Sequence, residues 1–270
     1  MANDAIGIFD SGLGGLTTVK ELNRILPMED IIYFGDTGRV PYGTRSKDAI
    51  IKYAKQDIAF LKSFKVKMII AACGTVSSVA NFIGDSLPLP FIGIVKPCAI
   101  AAVKATKNGK IGVIGTAATI KSHAYLKEMN ILKENLDIFE IACPLFVPLI
   151  ESGIISPGDP VLLEVARRYL LELKEKNIDT LILGCTHYPI IMEAISSIMG
   201  ENVNIINSGR ETAIYAYEFL KNRGMLKKSD DHGKYLFYVS DTADGFESEA
   251  SKFLNLNLEY KCKKIDIEQY

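Results

Sequence analysis

The sequence predicts an α/β protein made of two similar halves, each with a parallel-type sheet, and a cleft between them. Runs rich in Ile, Val and Leu alternate with amphipathic stretches of helical length along the chain. Several runs are continuously apolar, which is typical of parallel strands buried on both faces. IGIFDS at 6–11 recurs as IGVIGT at 111–116, and Cys73 and Cys185 follow apolar runs in matching settings. The two separations, 105 and 112 residues, are similar and therefore indicate an internal duplication.

The apolar runs give the expected strands, and the amphipathic stretches between them give the expected helices. The predicted strands are 6–10, 31–35, 67–73, 91–94, 110–115, 137–142, 179–184, 203–207 and 234–239. The predicted helices are 15–26, 46–64, 75–84, 97–107, 121–134, 159–176, 187–199, 209–223 and 243–254. Right-handed crossovers place the loops that follow the strands at one edge of each sheet, where ligands of such folds bind.

The duplication also predicts the domain boundaries. We expect the first α/β domain to comprise 1–94 plus 209–270, and the second to comprise 95–208. The last segment follows the second cysteine strand, so we expect it to return to the first domain. No low-complexity linker separates the halves, and close packing around a cleft is therefore expected.

The composition excludes several classes of function. The net charge is −1 and the charged residues are well mixed, which argues against a nucleic-acid partner. No apolar run reaches the ~18–20 residues that a membrane span needs, and MANDAIGIFD does not have the pattern of a signal peptide. We therefore expect a cytoplasmic protein without membrane or nucleic-acid partners.

The cysteines and histidines indicate neither disulfides nor a metal site. The five cysteines are widely spaced and odd in number, so a reducing compartment is expected. The three histidines are scattered, and the sequence contains neither CxxC nor HExxH. We interpret Cys98 and Cys143 as packing residues, Cys262 as a tail residue, and His123 and His232 as surface or cap residues.

Polar motifs follow the predicted strands. DSGLGG at 10–15 lacks the third glycine of a dinucleotide fingerprint, and we expect it to expose Asp10 and Ser11, with Asp10 as a general base or an orienting carboxylate. GDTGRVPYGTRS at 35–46 can be a surface connection or a binding loop that contains Tyr42.

The two cysteine motifs carry the strongest indication of chemistry. Cys73 precedes Gly74, Thr75 and a predicted helix start, which favours a thiolate. Cys185 is followed by Thr186 and His187, so an imidazole lies two residues from the second thiol. One interpretation is a cysteine hydrolase with a Cys–His pair. The other is proton transfer at the two faces of one carbon, which would use both thiols.

In these segments the chain resembles the cofactor-independent glutamate racemases of the aspartate/glutamate racemase superfamily. The segments that carry the resemblance are IGIFDSGLGGLT, GDTGRVPYG, AACGT, IGVIGTAAT, CPLFVPLIESG and LILGCTHYP, which span nearly the whole chain. One departure is Gly74, where relatives commonly have Asn.

The resemblance implies two α/β domains related by a pseudo-twofold axis and a substrate cleft between them. It implies that Cys73 and Cys185 are the acid/base residues and that Asp10 and His187 assist them. It further implies substrate contacts at Asp10, Ser11, Tyr42, Gly43, Gly74, Thr75, Thr116, Thr119, Thr186 and His187. The expected reaction is cofactor-independent racemisation of glutamate, supplying D-glutamate for peptidoglycan, by a homodimer that binds no metal. Glu151 matches a family glutamate near the cleft whose role stays open.

Aspartate as the substrate, and a non-catalytic binding protein with a vestigial site, are the alternatives that the sequence leaves open. A pyridoxal-phosphate enzyme is disfavoured because no lysine follows a strand near these motifs.

Overall fold

The computed structural model describes residues 2–243, 246–248, 250 and 262–270. In these ranges strands and helices alternate, as the sequence predicts. The strands are β1 (Ala5–Asp10), β2 (Ile31–Gly35), β3 (Val66–Ala71), β4 (Phe91–Gly93), β5 (Lys110–Gly115), β6 (Asp137–Ala142), β7 (Thr180–Leu183), β8 (Asn204–Asn207), β9 (Tyr235–Val239) and β10 (Cys262–Lys264). The helices are α1 (Leu16–Ile25), α2 (Lys47–Lys62), α3 (Gly74–Val79), α4 (Val95–Ala105), α5 (Ala117–Ser122), α6 (Ala124–Leu132), α7 (Phe146–Glu151), α8 (Pro160–Glu175), α9 (Met192–Met199) and α10 (Ser208–Asn222).

The strands form two parallel sheets, which confirms the predicted fold class. One sheet has the order β10-β9-β2-β1-β3-β4 and the other has the order β6-β5-β7-β8. Four strands of each sheet have the same arrangement. In the first sheet β1 lies between β2 and β3, and β4 lies outside β3; in the second sheet β5 lies between β6 and β7, and β8 lies outside β7. β3 and β7 therefore hold equivalent places, and each is followed by one of the two matched cysteines, Cys73 and Cys185.

The last part of the chain returns to the first sheet. β9 pairs with β2, with Phe237 opposite Tyr33. Helix α10 packs on α1, and its residues Ala213, Ala216 and Leu220 belong to the same hydrophobic core as Val19 of α1. These contacts support the proposed grouping, while the boundaries at 94, 95, 208 and 209 stay a prediction.

Apolar side chains on both faces hold the first sheet in place. Ile6 and Ile8 of β1 point into one core, and Phe9 points into the core on the opposite face. Successive side chains of a strand alternate between faces, so a strand covered on both sides must be apolar throughout. This burial explains the continuous apolar runs of the sequence.

Local capping signals fix several helix starts. Ser46 accepts a hydrogen bond from the backbone N–H of Ala49 at 3.3 Å and thereby caps α2. Asp159 caps α8, which begins with Pro160, a residue suited to the first helical position. Thr116 caps α5 by accepting from the Thr119 backbone N–H.

The structure corrects some predicted elements. The predicted helix 121–134 is two helices, because His123 adopts a left-handed backbone conformation (φ 52°) between α5 and α6. The predicted helix 75–84 ends at Val79 and continues as a 3-10 helix from Asn81. Helix α7 and strand β10 were not predicted, and Cys262 lies in β10 rather than in an irregular tail. Most of the predicted helix 243–254 lies outside the described residues.

Among the described residues, no helix combines the length and the apolar character needed to cross a membrane.

Candidate active site

Residues from both halves of the chain surround one cavity of about 260 Å³. Its wall is formed by Ser11, Val40, Pro41, Tyr42, Gly43, Thr44, Cys73, Gly74, Thr75, Thr116, Ala117, Cys143, Pro144, Val147, Pro148, Glu151, Cys185, Thr186 and His187. All the predicted site residues lie on this wall except Asp10 and Thr119. Their roles toward a substrate stay predictions, but the structure brings the two matched cysteines to one cavity.

Cys73 reaches the cavity from the end of β3. It is 4% exposed and precedes the first residue of α3. Its sulfur lies 3.8 Å from the hydroxyl oxygen of Ser11. Burial, together with the nearby charge of Asp10, raises the pKa of the Cys73 thiol to about 12, although the Val76 backbone N–H and Ser11 oppose the shift. In the free protein at neutral pH, Cys73 is therefore a thiol that can donate a proton.

Cys185 reaches the cavity from the end of β7 and lies beside an imidazole. Its sulfur is 3.9 Å from Nδ1 of His187, and Nε2 of His187 is 3.2 Å from Oε1 of Glu151. Burial lowers the pKa of His187, but the hydrogen bonds to Cys185 and Glu151 and the charges of Cys185 and Asp10 outweigh it and raise the pKa to about 10. The imidazole of His187 is thus placed to exchange a proton with the Cys185 sulfur.

Asp10 lies behind the cavity wall and ties the halves together. Its carboxylate accepts the backbone N–H groups of Gly12 and Gly15, each at 3.0 Å, and the Thr186 hydroxyl at 3.3 Å. The Thr17 hydroxyl also donates to the backbone carbonyl of Thr186 at 3.0 Å. The DSGLGG turn of the first half is thus bonded to the loop that carries the second thiol.

A row of threonine hydroxyls crosses the cleft. The Thr75 hydroxyl lies 3.0 Å from the Thr116 hydroxyl, which lies 3.0 Å from the Thr119 hydroxyl. Thr75 and Thr116 face the cavity, whereas Thr119 is fully buried behind them. The first two can donate to a carboxylate in the cavity, and Thr119 orients Thr116.

Tyr42 lines the cavity, but its hydroxyl points away from a ligand. The hydroxyl bonds to the carboxyl group of Asp36 and lies 3.1 Å from that of Asp57. Tyr42 therefore offers the cavity its ring and backbone, and the neighbouring Gly43 packs against Thr116 of the other half.

Gly74 lies at a close approach of the two halves. A Cβ atom at this position would overlap the backbone carbonyl oxygen of Gly184 and lie 3.4 Å from Cα of Cys185. An Asn side chain has no room in this arrangement. The substitution noted in the sequence thus lets the start of α3 rest directly on the loop of the second thiol.

One part of the wall was not predicted from the sequence. Helix α7 and the residues before it supply Cys143, Pro144, Val147 and Pro148. Cys143 was interpreted as a packing residue, and it is fully buried, but it also lines the cavity. The sequence indicates this part of the wall through the resemblance of CPLFVPLIESG to a family segment, and not through a helical pattern.

The comparisons with known proteins agree with this geometry. A family model described as Asp/Glu/Hydantoin racemase matches residues 12–216. A glutamate racemase of Geobacter metallireducens is 42% identical over 251 residues, which cover 93% of this chain and 92% of that protein. A glutamate racemase of Thermoanaerobacter pseudethanolicus is 43% identical over 270 residues and the full length of both chains.

Solved structures give the same picture. A glutamate racemase isoform from Bacillus anthracis superposes with a TM-score of 0.93 at 37% identity, covering 98% of this chain and 99% of that chain. The glutamate racemase of Francisella tularensis in complex with D-glutamate superposes with a TM-score of 0.91 at 38% identity, covering 100% of both chains.

The first prediction concerns Gly74. Gly74→Ala should lower kcat/KM on the order of 100-fold, because the added methyl group displaces the loop of Cys185 and misplaces one thiol. Gly158→Ala is the control, since a Cβ there meets no atom within 4 Å. Steady-state kinetics and melting temperatures of both variants check the prediction. Full activity in Gly74→Ala would show that the close approach is not required.

The second prediction concerns the charge on His187. A proton NMR titration should give His187 a midpoint near 10, well above the ordinary histidine pKa of 6.5. The chain has three histidines, so loss of one resonance in His187→Gln assigns the signal. Glu151→Gln should lower the midpoint, because the hydrogen bond that His187 donates to the Glu151 carboxylate raises the pKa.

The same shift predicts a pH dependence of stability. Since folding raises the pKa of His187, its contribution is complete below the unfolded pKa of 6.5 and is lost as the pH rises through about 10. A midpoint near 6.5 in the folded protein would contradict the imidazolium assignment.

Proposed function

This chain belongs to the Asp/Glu/hydantoin racemase family, and from that premise we propose that it interconverts L- and D-glutamate by proton transfer to and from two thiols. The observation that carries the proposal is one cavity lined by two cysteines, Cys73 from the first half of the chain and Cys185 from the second. The names of the relatives and the D-glutamate bound to one of them support glutamate as the substrate.

The protons balance over one turnover. In one direction the sulfur of Cys185 takes the α-proton, and the Cys73 thiol gives a proton to the opposite face of the carbon. One Cα–H bond breaks and one forms, so that Cys185 ends as the thiol and Cys73 as the thiolate. In the other direction Cys73 is the base and Cys185 is the acid, and each direction restores the state that the other requires.

Different neighbours assist the two thiols. The imidazolium of His187 stabilises negative charge on Cys185, and Glu151 fixes the imidazole ring through Nε2. Cys73 instead has the Ser11 hydroxyl and the buried Asp10 nearby. The two faces of the substrate carbon therefore meet different partners, which suits a reaction between distinguishable enantiomers.

The α-carbon of an amino acid is a weak acid, so negative charge must be stabilised as it develops on the carboxylate. Ser11, Thr75 and Thr116 line the cavity, and their hydroxyls can donate to that carboxylate. We propose that the reaction needs no cofactor. In support, no lysine lies on the described part of the cavity wall to form a Schiff base.

The biological setting follows from this activity as part of the proposal. A glutamate racemase supplies D-glutamate for peptidoglycan, and we propose that this chain does so in the cytoplasm as a homodimer. Its small-molecule partner is then glutamate.

A cysteine hydrolase is less well supported. His187 and Cys185 do lie together, as such an enzyme requires, but the second thiol on the same cavity would then have no role.

The third prediction tests the function with thiol variants. Cys73→Ala and Cys185→Ala should each lower racemisation of glutamate by at least ~10²–10⁴-fold, because each removes one acid/base group. Cys262→Ala is the matched control, since this thiol lies in β10, away from the cavity. Circular dichroism of both enantiomers as substrate measures the rates.

Three outcomes would overturn parts of the proposal. Near-normal turnover by either cavity variant would exclude the two-thiol mechanism. Faster turnover of D-aspartate than of D-glutamate by the wild type would correct the substrate. Binding of glutamate without turnover would identify a binding protein.

A further inference from the structure

Two buried carboxyl groups lie behind the loop that closes one side of the cavity. This substrate loop, residues 36–46, connects β2 to α2, and its residues 40–44 line the cavity. Asp36 begins the loop and Asp57 lies on α2, and both side chains are 0% exposed. Buried carboxyl groups this close together need compensation, so their surroundings decide their charge.

One guanidinium serves both carboxyl groups. Nε of Arg39 donates to Oδ2 of Asp36 at 2.6 Å, and Nη2 donates to Oδ1 of Asp57 at 3.3 Å. Arg39 also donates from Nη1 to Gln56 and to Glu268 of the C-terminal segment, and its guanidinium stacks over the Tyr53 ring at 4.2 Å. Two ionised aspartates would therefore leave buried negative charge in excess.

The single proton of the Tyr42 hydroxyl also argues against two ionised aspartates. It lies within hydrogen-bond distance of Oδ2 of Asp36 and of Oδ2 of Asp57. A hydroxyl donates one proton, and ionised carboxylates only accept, so two carboxylates cannot both be satisfied by it. Both contacts become full hydrogen bonds if one of the two carboxyl groups carries a proton and donates it to the Tyr42 oxygen.

The surroundings place that proton on Asp57. Asp36 has the shorter contact with Arg39 and also accepts the Ser240 hydroxyl at 2.7 Å, so its negative charge is well compensated. Asp57 has the longer contact with Arg39, and its other partner is the Tyr42 hydroxyl at 3.1 Å, which it shares with Asp36. Burial, with the charge of Asp36 next in importance, raises the pKa of Asp57 well above its ordinary value.

The titratable groups around Asp57 come from three directions. Asp36, Arg39 and Tyr42 face it from the substrate loop, and Asp10 acts on it from β1. Glu268 reaches the same network from the C-terminal segment through Arg39. Arg39 is the cation that these described groups share.

We propose that protonated Asp57 is a positioning residue, which holds the substrate loop against the cavity by donating a hydrogen bond to Tyr42. Tyr42 in turn donates to Asp36, which Arg39 and Ser240 hold in place. The chain of hydrogen bonds fixes the backbone of Tyr42 and Gly43, and Gly43 contacts Thr116 across the cleft. Loss of the proton places a second buried carboxylate beside Asp36 and releases the loop.

The kinetic test of this proposal rests on the proposed function, because it measures racemisation of glutamate. It compares two matched variants, Asp57→Asn and Asp36→Asn. Asp57→Asn keeps the shape and a donor for the Tyr42 oxygen, so KM for glutamate should stay within about twofold of the wild type. Asp36→Asn removes the charge that Arg39 requires, so KM should rise roughly tenfold or more, with a smaller change in kcat. Equal, large increases of KM in both variants would show that Asp57 works as a carboxylate and would overturn the proposal.

The pH dependence of KM distinguishes a positioning role of Asp57 from a merely structural one. KM of the wild type should rise as the pH is raised and Asp57 ionises, and the ratio of wild-type KM to that of Asp57→Asn should rise with it. A constant ratio would contradict the proposal. The ratio cancels the alkaline titration of the thiols and His187, which both proteins share.

A measurement that does not depend on catalysis distinguishes failure of the Asp57 proposal from failure of the proposed function. A ¹³C NMR titration of the Asp57 carboxyl group in the wild-type protein should show the protonated form at neutral pH, whatever reaction the protein catalyses. An ionised Asp57 at neutral pH would overturn the positioning role even if racemisation were confirmed. A protonated Asp57 in a protein that does not racemise glutamate would instead overturn only the proposed function.

Discussion

The site depends on the direct contact between the loops that follow β3 and β7. Each loop carries one thiol, and the thiols share a cavity because the start of α3 rests on the backbone of Gly184. Asp10 and Thr17 strengthen this contact by bonding to Thr186. The contact is between backbones and short side chains, so a shift of either half would separate the sulfurs.

The two halves are similar in topology, but the side chains around their thiols differ. The strand orders match, so duplication explains why two thiols occupy equivalent places. The neighbours of the thiols do not match. Burial and Asp10 keep Cys73 protonated, whereas Cys185 lies beside the imidazolium of His187. The two sulfurs therefore meet different proton-transfer partners.

Much of the fold and of the site could be predicted from the sequence. The parallel strands gave clear signals because burial on both faces requires continuous apolar runs. The two cysteine loops were recognisable because each directly follows such a run.

Other features could not be predicted because they depend on tertiary contacts. Helix α7 contains a proline and has only six residues, so its periodicity is too short to detect. The left-handed His123 that divides α5 from α6 has no decisive local signal, since the helix propensity of histidine is ordinary and the residue also fits a continuous helix. The lack of space at Gly74 and the role of Asp57 depend on residues distant in sequence.

The most direct test of two opposed thiols is the fate of hydrogen at the α-carbon in D₂O. At low conversion, each enantiomer of glutamate is incubated with the protein, and deuterium is measured separately in the product and in the remaining substrate. The account predicts deuterium in the product and none in the remaining substrate, from either enantiomer, because different sulfurs remove and return the proton. Equal labelling of substrate and product would mean that a single group serves both faces, and would contradict it.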